Sequence, residues 1–248
     1  MIASYEMRHQ VPYYECDATG HQTLAMLFRL LILASEAHSD ALRVGTAKVK
    51  EYDGGWVIIN YAGNVDRLPQ ENETVMIKTY LEAYNRFFVV RTFEVYDEEG
   101  KQLVKVKGTF AFMNLTTRKV ASIPEPLIAP YHSEESRRLP KVARPKLMEE
   151  DLDWVRLDYR VRFFDIDLNN HVNNAVYFDW LLDPLGDDFL RHHCLVGLKM
   201  KYDHEVRAGE KVDSQFIKVE DEGRIITHHQ IKRQGEIAAE AEFEWKLV

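Results

Sequence analysis

Two stretches of this chain repeat one another at a spacing of 150 residues, and that repeat limits the fold more tightly than any other feature. Tyr13-Tyr14-Glu15-Cys16-Asp17-Ala18-Thr19-Gly20-His21 aligns with Phe163-Phe164-Asp165-Ile166-Asp167-Leu168-Asn169-Asn170-His171, aromatic pair on aromatic pair, Asp on Asp and His on His. Each copy then enters an apolar stretch. In the first, Leu24, Leu27, Phe28 and Leu31 follow the i, i+3, i+4, i+7 pattern, and Arg29 is the sole charge through Ala34, which predicts a helix enclosed on most sides. In the second, Asn and Asp residues can cap a helix beginning near Asn173; Pro184 cannot continue it, so a break is expected there and a short helix from Leu185 towards Arg191.

Behind each helix the pattern turns to strands, at 56–65, 73–84, 87–97 and 101–114 in the first half and 196–203, 210–220, 224–233 and 236–247 in the second. Asp97-Glu98-Glu99-Gly100 and Arg233-Gln234-Gly235 are matching tight turns. Strands that follow one another without intervening helices predict hairpins and an antiparallel sheet. The expected fold class is therefore α+β, one helix on an antiparallel sheet, used twice. The division reads as 1–125 and 153–248 with a linker over 126–152. Five of the eight prolines (Pro124, Pro126, Pro130, Pro140 and Pro145) fall between 118 and 152, which suits an extended connection.

Composition narrows the function classes. A hydrophobic content of 46% with 29% charged residues fits an ordinary globular protein with real cores, and no apolar run approaches the roughly 20 residues that span a bilayer. The first seven residues lack a basic-then-apolar signal, so a cytoplasmic location is expected. A net charge of −8 disfavours nucleic acid and anionic membrane. Arg137, Arg138, Lys141, Arg144 and Lys146 cluster in the linker nonetheless, and Arg207 and Lys211 follow the second repeat; such basic residues suit an acidic protein partner or a phosphate-bearing arm. Two cysteines, Cys16 and Cys194, make neither a disulfide scaffold nor a metal knuckle, and His228 and His229, adjacent in a strand, point to opposite faces. No metal and no cofactor is expected. The chemistry is expected at 165–174, where carboxylates, carboxamides and a histidine crowd a turn ahead of a helix start, an acid/base set beside a terminus that stabilises negative charge.

The motif from Asp165 to Asn174, its worn copy, Trp56-Val57-Ile58-Ile59 with Val65-Asp66-Arg67-Leu68-Pro69, and the hairpin over 91–108 together resemble the acyl-acyl-carrier-protein thioesterases, and the likeness runs over nearly the whole chain. The resemblance implies two tandem hotdog domains, each an antiparallel β-sheet wrapped around a central α-helix, and a bacterial member, since plant members carry long transit peptides. It implies hydrolysis of acyl-acyl carrier protein to free fatty acid, with an acyl-coenzyme A thioesterase or a non-catalytic acyl-binding protein as the alternatives. By position it makes Asp167, Asn169 and His171 the catalytic trio, with Glu205 from Lys201-Tyr202-Asp203-His204-Glu205-Val206 as the matching acid. Plant members often carry a cysteine after that glutamate; Val206 stands here, which leaves carboxylate chemistry.

Thioester hydrolysis then has two forms. Glu205 or Asp167 activates water while Asn169 orients it and His171 positions the carboxylate and thioester, or Asp167 attacks directly and a Glu205-activated water cleaves the anhydride. Backbone N–H groups of Val172, Asn173 and Asn174 are the expected oxyanion donors. The first half, with Thr19 and Gly20 in place of the carboxamides, is expected to be non-catalytic and to hold the acyl chain along Leu27, Leu30 and Leu31. Arg137, Arg138, Lys141, Arg144 and Arg207 are the carrier-binding candidates. Two units in one chain can pair with each other, so monomer and homodimer are both admissible.

Overall fold

The computed structural model describes residues 2–149, 152–221 and 223–248; Met1 and residues 150 and 151 of the expected linker lie outside them. The strands are β1 (Ser4–Gln10), β2 (Gly54–Val65), β3 (Thr74–Tyr84), β4 (Phe88–Tyr96), β5 (Gln102–Asn114), the two-residue β6 (Lys119–Val120) and β7 (Glu134–Glu135), β8 (Val155–Arg160), β9 (His193–Tyr202), β10 (Lys211–Asp221), β11 (Arg224–Arg233) and β12 (Glu236–Leu247). The sheet runs β1-β3-β4-β5-β2-β9-β12-β11-β10-β8, so the second half repeats the order of the first in mirror sense. All neighbours on this path are antiparallel. The halves join where β2 pairs with β9, Asn60 opposite Lys201 through Asn64 opposite Gly197.

Alternation explains which face β3 buries. In β3, Val75, Ile77, Thr79, Leu81 and Ala83 point inward and the residues between them are half-exposed. β1 and β8, the edge strands, escape the sequence pattern because neither carries an apolar run; β8 is exposed at all its positions except Tyr159.

Helix α1 (Leu24–Ala41) is capped by Thr23, whose Oγ1 accepts the Met26 N–H at 3.2 Å, and it runs past Ala34 because nothing there breaks it. Short helices α2 (Thr46–Lys50) and α3 (Glu125–Ile128) follow. In the second half α4 (Val176–Leu182) stops at a single 3-10 turn containing Pro184, and α5 (Asp187–His192) resumes beyond Gly186. The helix therefore starts three residues later than expected. Asn173 caps a preceding turn instead: its Oδ1 accepts the Ala175 N–H (3.0 Å) and its carbonyl the Val176 N–H (3.0 Å).

Each half is an antiparallel sheet around one main helix, and the two hotdog units share a core. Phe28 of α1 lies 4.2 Å, ring to ring, from Phe178 of α4 and 4.8 Å from Tyr61 of β2, and all three are buried. The expected linker is extended only in its later part. Leu127, Ile128 and Tyr131 are buried as helical turns, whereas residues 142–143 lie across the seam of the halves, their carbonyls accepting Asn60 Nδ2–H at 3.2 and 3.1 Å.

Two core histidines make stability depend on pH. Arg91, 4% exposed, donates to Thr79 Oγ1 (3.2 Å) and sits 3.1 Å from His38 Nδ1. Burial, and then the Arg91 charge, hold His38 down to about 4; burial, and then His228, hold His229 down to about 3. Both would titrate near 6.5 when unfolded, so the unfolded chain binds more protons below that value. Their contribution is fully present above about pH 6.5 and is lost as pH falls towards 4 for His38 and towards 3 for His229, with a slope of up to about 1.4 kcal/mol per pH unit for each histidine. Urea midpoints measured from pH 7.5 to 4.5 should fall, and His38→Gln should flatten the fall; an unchanged slope in that variant would remove His38 as a cause.

Candidate active site

The repeated motif folds into the same turn twice. Asp167 N–H donates to the His171 carbonyl (2.9 Å) and Asn170 N–H to the Asp167 carbonyl (3.0 Å), while Asp167 Oδ1 accepts the Asn169 N–H (2.8 Å). Asp17, Thr19, Gly20 and His21 make the matching bonds at 2.9, 3.0 and 2.7 Å. The turn needs one left-handed residue, and Asn170 (φ 63°) and Gly20 (φ 80°) supply it, both being residue types that tolerate that region. Asp165 is scaffold. It is 1% exposed, its Oδ2 accepts the Arg162 N–H (2.7 Å), its Oδ1 accepts the Arg162 guanidinium (2.6 Å), and its carbonyl takes the Asn173 N–H (2.8 Å). Glu15 holds the equivalent place, accepting from Gln22 Nε2–H at 2.7 Å.

Glu205 reaches this turn from the loop after β9. Asp203 and His204 both donate their N–H to the Ala238 carbonyl (2.8 and 3.1 Å), and buried Val206 accepts the Val172 N–H (2.9 Å), so Glu205 is held between pinned neighbours. His171 Nε2 lies 2.8 Å from Glu205 Oε2, and the same oxygen accepts a hydrogen bond from Arg118, a residue that sequence reasoning did not single out. Asp167 is half-buried in the turn beside them, and the Asn169 side chain is exposed.

The first half lacks this pair. Gln22 N–H donates to Pro69 O (2.8 Å) as Val172 does to Val206, and Gln70 N–H donates to Glu73 Oε2 (2.9 Å) as Arg207 N–H does to Glu210 Oε2 (2.7 Å). In that register Leu68 stands where Glu205 stands. His21 meets neutral groups instead, Thr19 Oγ1 at 2.9 Å and Gln70 Nε2 at 3.3 Å. The match of Gln70-Glu71-Asn72-Glu73 with Arg207-Ala208-Gly209-Glu210 was the signal that could have located this position in the sequence.

Two of the three expected oxyanion donors are corrected. Val172 N–H is spent on Val206 and Asn173 N–H on Asp165, because the segment ahead of α4 forms a β-bridge with Ile166 rather than an open helix terminus. Asn174 N–H alone has no acceptor among the described residues, and the Asn174 Nδ2 is buried without a partner. Tyr202, whose phenol burial pushes well up, donates to the Asn174 carbonyl at 2.9 Å and fixes that residue.

Leu27, Leu30 and Leu31 are buried on α1, the helix that carries Phe28 against α4. Arg137, Arg138, Lys141, Arg144 and Arg207 are all exposed, and Lys141 and Arg137 line different hollows. Arg207 is two residues beyond Glu205, Arg137 borders a hollow with Asn85, Arg86 and Phe87, and Lys141 lines a groove of about 320 Å³ over the β2–β9 seam.

Comparison with known proteins agrees with this architecture. The family described as Acyl-ACP thioesterase N-terminal domain matches residues 3–131, and Acyl-ACP thioesterase C-terminal domain matches 148–247. A chloroplastic acyl-[acyl-carrier-protein] hydrolase of Cuphea viscosissima is 27% identical over 208 residues, 73% of this chain and 49% of that one; the chain spans about half the length of the curated relatives it matches. A solved structure from Lactobacillus plantarum, provisionally described as an oleoyl thioesterase, superposes with a TM-score of 0.96 at 38% identity, covering 100% of this chain and 97% of that one. An acyl-ACP thioesterase from Bacteroides thetaiotaomicron shares the fold, with a TM-score of 0.84 at 24% identity and 98% of both chains covered. With both halves matched in order along nearly its whole length, the chain belongs to the acyl-ACP thioesterase family.

Proposed function

We propose that this protein hydrolyses the thioester of acyl-acyl carrier protein and releases free fatty acid, ending chain elongation, with the groups that touch the reacting atoms carried by the C-terminal half. The observation that carries the reading is the His171–Glu205 pair, present in one copy of the repeat and replaced by His21 and Leu68 in the other. Water, oriented by Asn169, attacks the thioester carbonyl and gives a proton to Glu205; the carbonyl oxygen gains negative charge beside Asn174 N–H. Collapse breaks the C–S bond, and the leaving thiolate takes the proton back from Glu205. Asp167 is kept in both copies with the same bond to the residue two positions on, which favours a turn-forming role over direct attack.

The acyl chain binds in the N-terminal half in this reading, with Leu27, Leu30 and Leu31, buried on α1, as its wall. Arg207, two residues beyond Glu205, and Arg137, Arg138, Lys141 and Arg144 have no carboxylate partner among the described residues, unlike Lys101, Lys105, Lys107 and Lys199. Unpaired exposed cations, Arg207 beside the site among them, favour an acidic carrier. No helix among the described residues is long and apolar enough to cross a membrane; the cytoplasm is the proposed location.

Rates with matched acyl-carrier and acyl-coenzyme A substrates, across chain lengths, test the reading. We expect kcat/KM at least about tenfold higher for the carrier. Preference for coenzyme A would overturn the carrier assignment, and no hydrolysis of either would overturn the enzyme.

A further inference from the structure

Arg118 belongs to the N-terminal half, yet it touches the carboxylate of the C-terminal site. It sits in the hairpin between β5 and β6 in a left-handed conformation (φ 53°). That hairpin is braced: Asn114 Oδ1 accepts the Thr117 N–H (2.7 Å), Asn114 Nδ2–H donates to Asp53 Oδ2 (2.9 Å), and Leu115 N–H donates to the Asp53 carbonyl (2.8 Å). Arg118 is therefore delivered to the site by a rigid element.

Its target oxygen is the informative detail. Arg118 and His171 both engage Glu205 Oε2, and Oε1 has no partner among the described residues. The terminal torsion of a glutamate is broad and nearly two-fold, so one contact leaves the carboxylate free to turn. Two contacts on one oxygen fix the plane and present the other oxygen outward. Both side chains are partly exposed, 47% for Arg118 and 37% for Glu205, and an exposed pair of this kind contributes little to folding.

We propose that Arg118 is a positioning residue of the hydrolytic site: it clamps Glu205 Oε2 across the two halves and leaves Oε1 to receive the proton from water. The proposal rests on the hydrolytic reading above, and it makes the active site a product of both halves.

The test is a cycle of Arg118→Ala, Glu205→Gln and the double variant, with Arg118→Lys as the conservative replacement, assayed on acyl-carrier substrate in the full chain. Arg118→Ala should lower kcat by about 10- to 100-fold, the scale set by a misplaced reacting group, with KM changed less than about threefold. Arg118→Lys should recover part of that loss, and in the Glu205→Gln background Arg118→Ala should cost nothing further. Equal losses in both backgrounds, a loss in KM alone, or a gain in kcat, which would make Arg118 a latch, each overturn the proposal. Crystal structures of the wild type and Arg118→Ala give a readout independent of activity, so a wild type that hydrolyses nothing overturns the hydrolytic reading and still leaves the clamp measurable. Glu205 should leave its seat on His171 when Arg118 is removed; an unchanged seat overturns the clamp.

Discussion

Glu205→Gln is expected to lower kcat for thioester hydrolysis by about 10²- to 10⁴-fold, the range for loss of a general base, while the protein stays folded. Glutamine preserves the size of the side chain and an oxygen that can still accept from Arg118, but it cannot take a proton from water. The stability change should be small, because partly exposed ion pairs of this kind contribute no more than about 1 kcal/mol. Single-turnover rates with acyl-carrier substrate measure the loss directly. The internal control is the worn copy of the motif: Asp17→Ala and His21→Ala should leave the chemical step largely intact, since His21 faces Thr19 and Gln70 rather than a carboxylate. A drop in those variants as large as that of Glu205→Gln would show that the first half takes part in the chemistry.

Phe28→Ala is expected to produce the largest loss of stability, about 3–5 kcal/mol, as is usual for removing a buried aromatic ring. The side chain is fully buried between Phe178 and Tyr61, so truncation opens a cavity at the point where α1, α4 and β2 meet. The loss should appear in urea denaturation as a lower midpoint with the slope retained. A change below about 1 kcal/mol would mean that the seam relaxes to fill the space.

The strands were the most legible part of the chain. Alternation in β3 and the tight turns at Gly100 and Gly235 place the hairpins without further help, since a period of two has no competing explanation there. The edge strands β1 and β8 were not legible, because an edge strand half-covered by solvent needs no apolar run. The dense turn at 165–174 stands out in the sequence for its titratable groups, and the structure gives its members different tasks. Asp165 is locked into scaffold and Asn170 supplies the left-handed corner. Val172 and Asn173 illustrate a different limit: their N–H groups precede a helix and read as free in the sequence, but the Val206 carbonyl takes the first and the Asp165 carbonyl the second, and such pairings leave no mark in composition or period. Arg118 was invisible for a related reason, since its contact with Glu205 crosses from one half to the other and no local pattern connects them.

The continuous pairing of β2 with β9 has a consequence for how such a site can change. In an association of two identical copies, every substitution is written into both sites at once, so a residue cannot be good for one and dispensable in the other. Here the partners are covalently joined and held in one sheet, and each carries its own text. Leu68 could replace a carboxylate on one side while Glu205 was kept on the other, and the freed side could contribute a bulky wall or a reaching arginine instead. Fusion thus lets a symmetric scaffold divide its labour.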